Sequence, residues 1–446
     1  MRSASKMALL GIAAMYLYIA FNLCNWENRY PIGWDETGYY LYLPATFIYH
    51  DISRCNFYPR ICSTYGINNN VQWYGLLDEA TGCKLDKYHI GTGILEAPFF
   101  FLAHCYCIIC RTKYPADGYS LPYMVALTFG TIFWVFAGLL ILRKFLQKYF
   151  PDAAIAIVLL LLAFGTNLFF YTLFDAGMSH PFSFALFCFL LFNTERWYTT
   201  ARMINVLWIG ALLGLIIITR PTNAVVAIIP LCWKYKDNKL SARFAFFKKQ
   251  LWPILFSMVS FVLLLSIELS YWKYTTGHWV HYAYEGEHFN FSSPHIADGL
   301  FSYRKGWFVY TPLALIGVCG LIPLARKYVA MATLIAVYIG INIYIVFSWE
   351  QWFYGGSFGC RALIEALAVV AIPLAMLTQW GLDQKKRVLT ISMFTVFGFL
   401  ITLNLFQSYQ LRRNVLVWDD NNRAYYWHTF GKLEVTATER ELLKNP

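Results

Sequence analysis

Apolar stretches recur along the whole chain, separated by short polar turns and one long polar insert near the N-terminus. A bilayer core about 30 Å thick takes roughly 20 apolar residues per helix. Segments 7–24, 120–142, 153–173, 178–194, 203–219, 222–233, 251–272, 307–325, 329–347, 362–380 and 388–406 meet or approach that length. The pattern predicts an all-α polytopic membrane protein with about 11 transmembrane helices and interfacial helices in the first outer loop, 25–119. The run from Met7 to Cys24 follows Arg2 and Lys6 and has no small-residue cleavage site after it, so it is read as a retained first span. Residues 1–406 form the membrane domain, and 407–446 a short outward-facing tail large enough only for a small cap.

Two segments decide sidedness. Segment 89–110 is apolar but contains Glu96, Pro98 and His104, which are costly in lipid, so it is read as interfacial or re-entrant. Segment 203–233 is interrupted by Arg220-Pro221 and is read as two short crossings. With these choices the inner loops between 111 and 202 hold Arg143, Lys144, Lys148, Arg196 and Arg202, whereas the reverse choices leave only Arg111 and Lys113 inside. The positive-inside rule favours the first arrangement. It puts the N-terminus in the cytoplasm and the informative polar loops on the outer, periplasmic side of a bacterial inner membrane.

Composition fits this frame. Of 446 residues 58% are hydrophobic and 14% charged, with 16 Trp, 32 Tyr and 37 Phe. Trp and Tyr favour the wet boundary of a bilayer, so much of the chain is expected there. The net charge of +11 comes without a basic stripe of interleaved aromatics, which excludes nucleic acid as a partner. Half of the 36 Lys and Arg lie in the expected outer segments, where topology does not account for them. The 11 cysteines are scattered; Cys55, Cys62 and Cys83 share the first outer loop, where one disulfide is compatible with an oxidising compartment.

The candidate chemistry lies on that outer side. Asp35 and Glu36 follow the first span; one carboxylate can act as general base while the other orients a substrate, although the dipeptide alone also fits a solvated turn capping a helix. In Trp349 to Arg361 a glycine-rich run closes on Arg361, a fork for phosphate, and Trp349, Trp352 and Tyr354 offer faces to sugar rings or prenyl chains. Arg304 and Lys305 form a cationic pair at an outer boundary, suited to a lipid phosphate. Loop 273–306 carries His278, His281, Glu285, Glu287 and His288, compatible with a divalent metal or with ordinary loop polarity. Asp175, His180, Lys87, Tyr88, His89 and Arg220 are smaller signals on the same side, and Glu268 and Glu365 also lie at outer span ends.

These features together resemble the GT-C superfamily of integral-membrane glycosyltransferases, in the branch of protein O-mannosyltransferases and lipid A aminoarabinose transferases. The resemblance rests on Asp35-Glu36 just past the first span, an interfacial helix before the second span, the short acidic second loop with Asp175, and the segments LFSYRKGWFVYTP (Leu300 to Pro312) and WFYGGSFGCRALIE (Trp352 to Glu365). It implies a sugar donor on a polyprenyl phosphate and a glycan, lipid or protein acceptor, with inverting transfer at the outer face. By position it makes Asp35 the base and Glu36 an orienting group. Arg304, Lys305, Arg361, Lys87 and Arg220 would serve the donor phosphate, and Trp349, Trp352, Tyr354, Tyr88 and Glu285 the sugar or acceptor. Asp175 and His180 are the ligand candidates for a divalent metal, the one cofactor considered. Two other functions fit parts of the sequence: a transporter or flippase of lipid-linked saccharide, through the Arg220-Pro221 break, and a polysaccharide ligase or polymerase using a diphosphate-linked donor.

Overall fold

The computed structural model describes residues 3–24, 26, 32–67, 76–78, 82–110, 113–233, 240–284 and 286–444. It is an all-α membrane protein. Ala4–Leu23, Gly91–Ile109, Leu121–Leu146, Leu251–Thr276, Val329–Ser348 and Arg387–Arg412 are long and apolar enough to cross a bilayer, and shorter apolar helices lie among them. Two expected spans are broken. Segment 153–173 divides into Asp152–Phe164 and Leu168–Leu173, and 307–325 divides into Trp307–Tyr310, Pro312–Cys319 and Leu321–Lys327. Proline lacks the amide hydrogen that a continuing helix needs, so Pro312 starts a helix instead of extending one. At Arg220-Pro221 the helix Met203–Thr219 likewise stops, and the chain continues as the 3₁₀ turn Pro221–Ala227 and the helix Ile228–Cys232.

Small residues set how closely helices approach. Met203–Thr219 and Leu251–Thr276 pack along each other, and Gly210 and Gly214, four residues apart, face the second helix. A Cβ on Gly210 would stand 2.0 Å from the Ser257 carbonyl oxygen, and one on Gly214 2.8 Å from that of Phe261. Membrane helices favour such spacing because lipid offers little hydrophobic drive and close packing supplies the attraction. Leu367–Leu382 is buried along most of its length, against Asp152–Phe164 and Pro312–Cys319. Leu251–Thr276 and Arg387–Arg412 show lipid-type exposed Leu, Val and Phe.

The two ends of the bundle differ. At one end Arg143 holds Ser5 (2.6 Å) and approaches Asp152 (3.9 Å), while Tyr149, Trp233 and Lys148 converge on the Glu195 carboxylate. This end gathers the basic residues expected inside. Gly91–Ile109 belongs to the opposite end: Leu95 accepts from Trp134 (2.9 Å), Phe99 faces Gly130, and His104 bonds Tyr123 (2.6 Å). The helix thus runs antiparallel to the first half of Leu121–Leu146, from its middle back to its first turn, and is long and apolar enough to cross where 89–110 was expected to lie at the interface. A two-stranded antiparallel ladder, Leu76–Asp78 with Cys83–Leu85, lies against Leu251–Thr276. Cys55 and Cys62, considered for a disulfide, are free thiols.

The last long helix runs to Arg412, beyond its expected end, because its polar turn is satisfied by the tail. Gln407 bonds the Tyr426 hydroxyl (2.7 Å), and Gln410 donates to the carbonyls of Thr429 and Lys432 (2.9 Å each). The short helix Arg423–Thr429, capped by the Asn422 side chain, is thereby fastened to the membrane domain.

Candidate functional site

A cavity of about 1180 Å³ opens at the end of the bundle opposite the Arg143 cluster. Its chemical centre is the helix Trp34–Phe47, which carries Asp35 and Glu36 in its first turn. A helix N-terminus favours negative charge, which suits two adjacent acids there. Trp34 enters the helix at φ +48°, a left-handed conformation that costs a side-chain-bearing residue of the order of 1–3 kcal/mol and recurs at functional sites.

Both Asp35 oxygens are engaged. Oδ2 pairs with Arg361 Nη2 at 2.5 Å, and Oδ1 accepts from the Tyr88 hydroxyl at 2.6 Å. Glu36 is buried, and that burial, reinforced by the charges of Asp175 and Asp35, pushes its carboxyl well above the usual range. The adjacent acids therefore differ: Asp35 is paired with a cation, whereas burial and the neighbouring carboxylates shift Glu36 toward its protonated form.

Behind this pair lies a second polar layer. Arg220 Nε stands 3.4 Å from Glu365 Oε1 and its guanidinium 5.8 Å from the Tyr354 ring. His180 Nδ1 lies 3.2 Å from Glu365 Oε2, and its Nε2 3.5 Å from Arg220. At the mouth Lys87 pairs with Glu287 (3.6 Å) and lies 5.3 Å from the Tyr284 ring.

The glycine-rich loop is held from within. Tyr354, Gly355 and Gly359 adopt positive φ. The Ser357 amide donates to the Trp418 carbonyl (2.8 Å), the Phe358 amide to the Tyr171 hydroxyl (2.8 Å), and Asn167 Nδ2 to the carbonyls of Phe358 and Cys360 (3.3 Å each). These two amides are spent on the protein's own oxygens. What the loop delivers to the cavity is Arg361 and the rim of Phe353, Tyr354, Gly355 and Gly356.

Of the residues singled out in the sequence, Asp35, Glu36, Lys87, Tyr88, Asp175, Arg220, Trp349, Tyr354 and Arg361 line this one cavity. Arg304, Lys305, Trp352 and His180 do not. Arg304 is bound by Asp419 (3.0 Å) and Asp420 (2.8 Å) and lies 3.6 Å over the Phe353 ring. Lys305 is buried and donates to the carbonyls of Ser357 (2.7 Å) and Trp418. Burial pushes its ammonium down to about 7, which makes it a weak phosphate ligand at neutral pH. Both cations fasten the glycine-rich loop to the tail. Trp352 stacks on His295 outside the cavity. His180 is fully buried with both ring nitrogens engaged, so it does not fit a metal shared with Asp175, and among the described residues no three His, Cys, Asp or Glu side chains are placed to share an ion. Glu285 lies outside the described residues.

Residues not singled out in the sequence complete the wall: Tyr39, Tyr284, Arg412, Trp418 and Asp419. Arg412 lies 4.0 Å over the Phe174 ring and donates to the Leu23 carbonyl (2.7 Å). The acids that follow Trp418 were a usable signal, because a carboxylate pair in a short tail next to a membrane domain calls for cationic partners.

No protein-family model and no curated protein sequence matches the chain. Among solved structures the fold is similar to the apo oligosaccharyltransferase of Archaeoglobus fulgidus, at a TM-score of 0.50 and 12% identity, with 98% of this chain covered. The match takes in 59% of that protein, so this chain spans about three fifths of its length. What the two proteins share is the fold.

Proposed function

We propose that this chain is a membrane glycosyltransferase that moves a sugar from a polyprenyl-phosphate donor to an acceptor hydroxyl at the outer, periplasmic face. The observation that carries this reading is the Asp35–Arg361 pair at 2.5 Å, set in a cavity lined by Trp349, Tyr354 and Tyr88. Transfer needs a base on the acceptor side and positive charge where the phosphate departs. Asp35 takes the proton of the acceptor hydroxyl as its oxygen bonds to the anomeric carbon. The bond from that carbon to the phosphate oxygen breaks, and the lipid phosphate leaves with the bonding pair. Arg361, with Arg220 behind it, meets the developing charge, while neutral Glu36 donates to the acceptor and orients it. Attack opposite the leaving group inverts the anomeric centre. The likeness of fold to an oligosaccharyltransferase supports saccharide transfer in general.

The test is transfer in proteoliposomes supplied with undecaprenyl-phosphate-linked hexoses labelled in the sugar. The expected result is protein-dependent release of undecaprenyl phosphate and appearance of label on a hydroxyl acceptor. Movement of intact lipid-linked sugar across the bilayer without release would overturn it.

A further inference from the structure

Tyr88 stands in the expected sugar-contact set, but its surroundings assign it different work. Asp35, Gly38 and Tyr42 lie at i, i+3 and i+7 on one face of the helix Trp34–Phe47. Tyr88 lies along that face and touches all three. Its hydroxyl donates to Asp35 Oδ1 at 2.6 Å. Its ring fills the notch left by Gly38, where a Cβ would come within 2.1 Å of Tyr88 Cδ2. Its carbonyl accepts from the Tyr42 hydroxyl at 2.5 Å, and its amide donates to buried Asp86 at 2.9 Å. Tyr39 packs against the ring edge to face, with ring centres 4.9 Å apart.

The phenol is thus fixed at both backbone groups and on its faces, with its hydroxyl aimed at one carboxylate oxygen. Burial, and then the Asp35 charge, push its ionisation well above the ordinary phenol range, so it stays a donor. The other Asp35 oxygen belongs to Arg361, the group that must also serve the departing phosphate. When the guanidinium turns toward that phosphate, a carboxylate held by it alone would swing about its side-chain torsions.

We infer that Tyr88 is the positioning residue of Asp35: its hydroxyl, seated in the Gly38 notch, keeps the carboxylate aimed at the acceptor while Arg361 engages the phosphate. This rests on the assignment of Asp35 as the base. The test compares Tyr88→Phe, Tyr88→Ala, Gly38→Ala and Gly38→Ala/Tyr88→Ala with Asp35→Asn, using release from undecaprenyl-phosphate-linked hexose and binding of undecaprenyl phosphate. Misplacement of a reacting group by about 1 Å costs on the order of a hundredfold. Tyr88→Phe therefore lowers kcat roughly 10- to 100-fold, with KM for the donor and undecaprenyl phosphate affinity held within about twofold. Gly38→Ala, which keeps the hydroxyl but displaces the ring, reproduces that loss, yet adds none in the Tyr88→Ala background. A raised KM at unchanged kcat would make Tyr88 a substrate contact and overturn the inference. Wild-type kcat in Tyr88→Phe would also overturn it when Asp35→Asn is inactive, whereas an active Asp35→Asn removes the base assignment itself. Detergent melting temperatures accompany each variant, and Gly38→Ala decides the matter where Tyr88→Phe does not fold.

Discussion

Two sets of cations flank the glycine-rich loop and have different fates. Arg361, at its end, points into the cavity and pairs with Asp35. Arg304 and Lys305, which the sequence offers as equally good phosphate ligands, are occupied by the tail: Arg304 by Asp419 and Asp420, Lys305 by the carbonyls of Ser357 and Trp418. A cation serves a ligand when the fold leaves it facing one. Its position at a membrane boundary says only that it is hydrated there. The comparison separates a group placed for chemistry from groups that hold its loop in place.

Substitution of the two sets is the sharpest way to break that distinction. Arg361→Gln removes the charge proposed to meet the leaving phosphate and is expected to lower transfer about 10²- to 10³-fold, by analogy with loss of one transition-state donor. Arg304→Gln, measured in the same proteoliposome assay, is expected to retain transfer within about threefold, since its partners lie at the partly exposed edge of the tail. Equal losses would erase the difference.

Lys305→Met leaves the buried Ser357 carbonyl without its Lys305 donor and the Trp418 carbonyl with the Ser357 amide alone, and one such lost donor costs on the order of 1–3 kcal/mol. The expected effect is a lower melting temperature and earlier proteolysis within 413–444, where the tail is clasped. A variant as stable as the wild type would show that the clasp is not what seats the loop.

Glu36 gives a pH-dependent test of how the acids divide their roles. Its carboxyl is raised in the folded protein, so below about pH 4.3 it is protonated both folded and unfolded and contributes no pH dependence. Above that the unfolded chain ionises first, and stability declines as pH rises toward the folded value. Glu36→Gln removes this penalty, so its melting temperature relative to wild type is expected to rise between pH 4 and 8. A difference that stays flat would place a charged Glu36 in the fold.

The smallest contrast lies in the aromatics. Trp349 lines the cavity and Trp352 stacks on His295 outside it. Trp349→Ala is expected to raise KM for the donor, about tenfold for the loss of one aromatic contact, and Trp352→Ala to leave KM within about twofold.

Much of this was legible in the sequence. Hydrophobic length gives the long apolar helices at 7–24, 120–142, 251–272, 329–347 and 388–406, while Gly91–Ile109, expected at the interface for its polar content, is also long and apolar enough to cross. Asp35 and Arg361, each expected next to a span, do meet in one cavity. What escaped were pairings between distant segments. His180 reads as an available ligand until Glu365, 185 residues away, is found against it. The 388–406 span gives no sign that its helix continues to Arg412, because Gln407 and Gln410 look like a helix end until the tail supplies their partners. The tail's Trp418 and Asp419 join the cavity for the same reason. Periodicity reports which face of a helix is apolar but not which remote group satisfies a polar one.

The central claim is that the Asp35 carboxylate, held by Arg361 and Tyr88, is the base of a sugar transfer. The measurement that tests it most directly is the single-turnover rate of Asp35→Asn on an undecaprenyl-phosphate-linked hexose, taken beside its melting temperature and its affinity for undecaprenyl phosphate. The account predicts an intact fold, retained lipid-phosphate binding and a rate lowered about 10²- to 10⁴-fold. A folded Asp35→Asn protein that transfers at the wild-type rate would contradict it.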